Sequence, residues 1–215
     1  MIKKNKVTLV ITTLIMLLPM LVGLLLWNKL PDQIPTHWDI NGEIDGWSSK
    51  AFAVFGFPCL LLAVHWLCMF ASCADPKSKN YHHKMIALVL WICPVLGLVL
   101  NSIVYATALG YQLSVEIIMP LLTGLMFIIV GNLLPKCRQS YTMGIKLPWT
   151  LHNEENWNKT HRFGGKVWVA GGVITMATAF VGSFWLLMGV LVVMVAAPTL
   201  YSYLYYKKHE KGTAA

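Results

Sequence analysis

The chain has 215 residues, of which 57% are hydrophobic and 12% charged, and it carries a net charge of +8. A soluble domain has about twice that charged fraction, so the composition excludes an ordinary soluble enzyme or binding module and points to the bilayer. The basic residues are spread over separate loops, which argues against nucleic acid and makes anionic lipid the expected contact.

Charge-free runs cover Val7–Trp27, Ala51–Ala74, Met85–Val115, Ile117–Pro135 and Val167–Tyr206. A helix needs about 20 apolar residues to cross about 30 Å of hydrocarbon. The first run follows Lys3, Lys4 and Lys6. It is longer than a signal-peptide core and no small-residue cleavage site follows, so it reads as a retained signal anchor. The last run is long enough for two spans, with Gly182-Ser183 as the turn between them. The expected fold is an all-α polytopic membrane protein with six transmembrane helices.

With six spans, Lys29 and Lys50 alone among the 17 basic residues fall on one side, in a loop that also holds Asp32, Asp39, Glu43 and Asp45. The positive-inside rule then predicts cytoplasmic N- and C-termini. Three segments follow. Residues 1–74 form an N-terminal two-span module with extracellular loop 28–50, residues 75–134 carry spans three and four, and residues 135–215 carry cytoplasmic loop 135–166 with spans five and six.

The first polar segment is "LPDQIPTHWDINGEIDGWSSK", residues 30–50. Pro31 and Pro35 end the helix and favour extended chain. Asn41-Gly42 predicts a two-residue hairpin turn that pairs Ile40 with Glu43, Asp39 with Ile44 and Trp38 with Asp45. Trp38 and Ile40 would share a face, and a hairpin this small must pack on something to persist.

The second is "PWTLHNEENWNKTHR", residues 148–162. Thr150 reads as an N-cap, and Glu154 and Glu155 suit a first helical turn. The expectation is a cytoplasmic interfacial helix from Leu151 to about Phe163, with Leu151, Glu154, Asn158 and His161 on one side. Trp149, Trp157 and Trp168 read as interfacial anchors. Beyond it, Gly171, Thr175, Ala179 and Ser183 form a small-residue stripe suited to close helix packing, expected within the chain in preference to a dimer interface.

Candidate chemistry is sparse. Alternating oxygen ligands from His37 to Asp45 resemble a calcium loop faintly, but Ile44 and Lys50 stand where Gly and Glu belong. His152, Glu154, Glu155 and His161 raise a metal-dependent membrane enzyme, although the two His are nine residues apart instead of one helical turn. His65 and Asn101 lie within spans and read as neutral groups bonded across helices. Without a chain of carboxylates an ion pump is not indicated, and a small-molecule transporter stays as a further alternative. The five Cys have no CxxC spacing and suggest neither disulfides nor a metal. No catalytic residue, metal or cofactor is predicted.

The two polar segments carry a resemblance. "LPDQIPTHWDINGEIDGWSSK" resembles the short module that often precedes the SdpI family, and "GNLLPKCRQSYTMGIKLPWTLHNEENWNKTHRFGGK" is similar to that family's defining segment. The resemblance covers essentially the whole chain; Lys146 stands where Arg is common. It implies a multi-pass protein of the bacterial cell membrane that gives immunity to, or senses, a membrane-active toxin peptide. A secreted toxin peptide and a cytoplasmic repressor are the implied partners. His37, Gly42 and Asp45 match that module and, with Trp38 and Asp39 of the same hairpin, which a peptide arriving at the outer leaflet would meet first, are the candidate outer binding residues. Asn132, Pro135, Gly144, Pro148, Trp149, Thr150, Trp157 and Arg162 match the family segment and, with His161, which belongs to a common variant of it, are the candidate motif, or output, residues.

Overall fold

The computed structural model describes residues 5–209, so Lys3, Lys4 and Lys211, three of the basic residues counted for topology, lie outside the described residues. Among the described residues six helices are long and apolar enough to cross a membrane: Lys6–Leu25, Phe52–Ala74, His83–Ala108, Val115–Lys136, Glu154–Val181 and Phe184–His209. The protein is a multi-pass membrane protein. Large apolar side chains such as Leu14, Leu67, Leu125 and Val193 are exposed along these helices, as contact with lipid requires. The chain forms two compact units, Met1–Ala74 with Ile86–Val115, and Asp75–Met85 with Glu116–Ala215.

In the first unit, α1 (Lys6–Leu25) leads to strands β1 (Gln33–Trp38) and β2 (Ile44–Ser49), which pair antiparallel. A π-helical turn, Phe52–Gly56, then runs into α2 (Phe57–Ala74). The hairpin does pack on the helices. Leu30 and Ile34 join Ala53 and Val54 of the π turn and Val104 and Tyr105 of α3 (His83–Ala108), with Trp27 and Trp38 packed alongside. The Tyr105 hydroxyl donates to the Pro19 carbonyl at 2.9 Å, passing over Gly23 where a Cβ would lie 2.7 Å from it. Lys50 fixes the hairpin base, reaching Asp32 at 3.1 Å, the Trp27 carbonyl at 3.3 Å and the Trp27 ring face at 5.4 Å. Its charge is therefore engaged locally. Deeper in the unit, His65 is buried 3.4 Å from the Thr12 hydroxyl of α1, across helices as expected. Asn101 instead donates to Gly97 of its own helix at 2.7 Å.

The hairpin register differs from the expected one. Trp38 pairs with Ile44 and His37 with Gly46, and the Asp39 amide donates to Glu43 at 2.8 Å. The cause is Asp39, whose carboxylate accepts from the amides of Asn41 at 2.8 Å and Glu43 at 2.9 Å. Gly42 donates to the Asp39 carbonyl and adopts φ +84°, which closes a three-residue turn with a left-handed glycine. Ile40 thus sits in the turn, 67% exposed, and shares no strand face with Trp38.

In the second unit, α4 (Val115–Leu133) ends in a 3-10 turn, Leu134–Lys136, followed by α5 (Pro148–His152), α6 (Glu154–Val181) and α7 (Phe184–His209). Gly182 caps α6 at φ +63°, so the turn falls where it was expected. Two faces of α6 use small residues. Gly171 of the expected stripe lies against the Met194 side chain of α7, with Thr175 and Ala179 also buried, so that stripe packs within the chain; Ser183 caps α7. The other face meets α4 backbone to backbone. A Cβ on Gly124 would lie 2.5 Å from the Gly172 carbonyl, and one on Gly165 would lie 2.7 Å from that of Gly131. On each helix the two glycines are seven residues apart, the repeat that keeps one seam facing a partner.

The separate interfacial helix expected over residues 151–163 is not there. Asn153 breaks the chain after α5, its side chain accepts from the Asn156 amide at 2.9 Å, and α6 then runs unbroken for 28 residues into the apolar span. Thr150 is accordingly inside α5 and is no N-cap. The face is also different: Asn156, Trp157, Thr160, His161 and Gly164 are buried, while Glu154 and Asn158 are exposed. Trp157, fully buried, is a core residue and no interfacial anchor.

Gly124→Val should destabilise the protein by about 1–3 kcal/mol, because rigid backbone faces the new atoms. Gly189→Ala, with open space around it, should change little. Thermal unfolding of both variants in one detergent checks the contrast.

Candidate functional site

Residues 137–147 form no helix or strand, yet much of the segment is covered. Its backbone groups need partners, and side chains supply them. The Trp157 indole donates to the Cys137 carbonyl at 2.8 Å. His161 accepts the Ile145 amide at Nε2, 2.9 Å, while Nδ1 lies 2.8 Å from the Trp157 carbonyl. An amide only donates and a carbonyl only accepts, so the ring is neutral with its proton on Nδ1. It stacks on Trp157 at 4.1 Å between centroids.

Thr150 accepts from the Leu147 amide at 2.9 Å and donates to the Ile145 carbonyl at 3.0 Å. Pro148 opens α5, a position where its missing N–H costs nothing. The Gln139 amide donates to the carbonyls of Thr150 and Leu151, both at 2.9 Å. Gly144 has φ +107°, and a Cβ there would lie 2.5 Å from His161 Nε2 and 2.8 Å from the Trp157 ring. Only glycine meets both demands.

Asp75, the residue after α2, ties a second loop to this one. Its buried carboxylate accepts from the amides of Lys77 at 2.7 Å, Tyr141 at 2.8 Å and Thr142 at 3.0 Å. The hydroxyls of Tyr81 at 2.6 Å and Thr142 at 3.1 Å add two more donors. Burial pushes the carboxyl up, but the Tyr81 hydroxyl, the Lys77 and Tyr141 amides and the Thr142 hydroxyl outweigh it, and the group is held below its ordinary value. Burial, then the bond to Asp75, pushes Tyr81 up to about 12. Residues 75–81 and 137–147 therefore lie at one end of the unit, as an even number of crossings between them requires.

A polar seam joins α5, α6 and α7. Asn156 donates to the Ser202 carbonyl at 3.2 Å and accepts from the hydroxyls of Ser202 at 2.8 Å and Thr160 at 3.0 Å. The Trp149 indole donates to Ser202 Oγ at 2.7 Å, and its ring stacks on Tyr206.

Most of the predicted motif residues meet here. Gly144, Pro148, Trp149, Thr150, Trp157 and His161 belong to one scaffold, and Pro135 touches it at Gly165. Asn132 and Arg162 are exposed beside it. Asp75, Tyr81, Gln139 and Ser202 were not anticipated; the one signal was an acid directly ending a charge-free run. Both nitrogens of His161 are occupied, His152 is exposed and bonded to the Pro148 carbonyl, and Glu155 pairs with Lys159 at 2.8 Å. Among the described residues no three His, Cys, Asp or Glu are grouped to hold a metal.

The hairpin divides its candidates. His37 and Asp45 pair at 2.5 Å on the exposed surface. Asp39 and Gly42 build the turn, and Trp38 packs towards the core. The amide of Glu43 holds the Asp39 carboxyl below its ordinary value, outweighing desolvation, with Asn41 assisting. Trp47, 57% exposed, and Ile40 supply the apolar surface, and neither was singled out as a site residue.

Gly144→Ala should open the loop. Cys137 is buried, with its thiol pushed up to about 12 by desolvation, so it should resist maleimide in a variant lacking the other four Cys and become reactive once Gly144→Ala is added. Asp75→Asn should weaken the same loop by about 2–3 kcal/mol, since charged acceptors hold their donors most strongly. Because the carboxyl is held low in the folded state, its stabilisation is complete above about pH 4 and is lost as the pH falls through the lower folded value. Cys137 exposure, read after an acid pulse, should therefore rise only below about pH 4 in the parent.

The model of the SdpI/YfhL protein family matches residues 136–202, and that of a domain of unknown function, DUF1648, matches residues 14–62. The chain is 30% identical over 209 residues to "Immunity protein SdpI" of Bacillus subtilis (strain 168), covering 96% of this chain and 97% of that protein. No solved structure matches it. The first of these spans coincides with the scaffold built on Asp75, Gly144, Trp157 and His161 at all but its Asp75 end, and the second with the hairpin and its flanking helices: the chain belongs to the SdpI/YfhL protein family.

Proposed function

We propose that the protein gives immunity to, or senses, a membrane-active toxin peptide, and that it does so in the bacterial cell membrane with both termini in the cytoplasm. The observation that carries this reading is full-length similarity to an immunity protein, with the hairpin and the motif loop both within the matched region. The distribution of basic residues supports the orientation.

A toxin peptide reaches the outer leaflet first. On this orientation the hairpin is the outward element, and it presents exposed Ile40 and Trp47 beside the His37–Asp45 pair on a base held by Ile34 and Lys50. That mixture of apolar and hydrogen-bonding groups on a stiff ribbon suits an amphipathic peptide. The motif loop lies three crossings further along the chain and so faces the cytoplasm, where a repressor is the proposed partner. Chain connectivity links the two. Strand β2 feeds the π turn and α2, and the next residue is Asp75.

Deleting residues 38–46 should abolish protection of a toxin-sensitive host while leaving membrane insertion intact. A Trp47→Ser, Ile40→Ser double variant should lower protection at least several-fold, read as the toxin concentration that halves growth. Undiminished protection in the inserted deletion variant would remove the hairpin from the mechanism. Asp75→Asn should keep toxin binding at the hairpin and lose retention of the repressor at the membrane, read by cell fractionation.

A further inference from the structure

An open groove of about 520 Å³ lies between the end of α4 and the first half of α6. Its floor is the glycine contact already described, where Gly131 and Gly165 bring the two backbones together and leave no side chain to fill the space. Asn132 and Pro135 form one wall, and Arg162 and Lys166, one helical turn apart, form the other. Val169 and Ala170 continue the groove along the apolar part of α6.

Both cations are exposed and have no counter-ion among the described residues. The ion pairs among the described residues are His37–Asp45, Lys50–Asp32 and Lys159–Glu155, and none involves Arg162 or Lys166. The Asn132 amide is likewise exposed and makes no hydrogen bond among the described residues. The acids of α6 are Glu154 and Glu155, two turns before Arg162, and Glu155 is already used by Lys159. On α4 the acid is Glu116, at the opposite end of that helix. The groove is therefore positive at its mouth and apolar beyond it.

We propose that this groove binds an acidic phospholipid, with the headgroup phosphate between Arg162 and Lys166 and an acyl chain along Val169 and Ala170. The guanidinium fork and the ammonium match phosphate oxygens, and the Asn132 amide adds a neutral donor. The ligand must carry both a negative head and an apolar tail, because the cations sit where α6 passes from polar to apolar sequence. A free phosphate would leave the apolar half empty. A second copy of the chain would bring like charges together.

The test uses the full-length protein in nanodiscs of phosphatidylcholine containing about one part in ten phosphatidylglycerol, followed by native mass spectrometry of retained lipid. The parent should keep phosphatidylglycerol in preference to phosphatidylcholine. Arg162→Gln with Lys166→Gln should lower that retention about tenfold or more. Ala170→Trp, which fills the tail half from an exposed position, should do the same, while Lys207→Gln with Lys208→Gln should leave it unchanged. Protection of Cys137 from maleimide reports that each variant is folded. Equal retention of the two lipids, an equal loss in the Lys207 and Lys208 variant, or displacement of the lipid by inorganic phosphate would overturn the proposal.

Discussion

A covered segment with neither helix nor strand has no ladder to satisfy its backbone, so each N–H and C=O needs a partner from elsewhere. Residues 137–147 meet this constraint with side chains: Trp157 for the Cys137 carbonyl, His161 for the Ile145 amide, Thr150 for Leu147 and Ile145, and Asp75 for Tyr141 and Thr142. These chemically unlike residues share one task. The constraint also explains why His161 is buried without being a ligand. Its two nitrogens join one acceptor and one donor of the main chain, and any third partner would have to displace one of them.

The loop can be held this way only because the helix beneath it has had its side chains removed. Gly164 lies against Ile145 and Pro198, Gly165 against Pro135, and Gly144 against the His161 and Trp157 rings. Small residues on α6 thus serve three neighbours at once: α4 through Gly165 and Gly172, α7 through Gly171, and the loop through Gly164. In lipid there is little hydrophobic drive between helices, and close backbone approach with its dispersion contacts takes that role. The groove flanked by Arg162 and Lys166 is a consequence of the same geometry, since two glycines in contact leave a trench at the level where their neighbours diverge.

Legibility in the sequence followed the range of the forces involved. Six spans and the Gly182 turn were readable because bilayer thickness sets a length and a composition that no local competition overrides. The hairpin was readable from Pro31, Pro35 and Asn41-Gly42, but its register was not, because Asp39 captured the Asn41 and Glu43 amides and widened the turn by a residue. The stretch after Pro148 was recognisably helical. Its division was not, because one side-chain bond from Asn153 decides where α6 begins. Asp75 was unreadable as a site for a different reason. Its donors at Tyr141 and Thr142 lie more than sixty residues away, and no local pattern announces such a contact.

Asp75 concentrates the support of the motif loop in one side chain. A carboxylate that gathers five donors is sensitive to displacement, since hydrogen bonds weaken steeply once distance and angle leave their narrow range. It follows directly on α2, which is preceded by a π turn, a rare geometry whose hydrogen bonds close over one residue more than those of an α-helix. One residue of helical rise is about 1.5 Å, enough to take a 2.8 Å bond out of range. The hairpin is clamped at the entrance of that turn by Lys50, through Asp32 and the Trp27 carbonyl. With its donors in place the loop is closed around Gly144, and a loss of those donors would leave a buried carboxylate uncompensated, so the residue and the loop depend on each other.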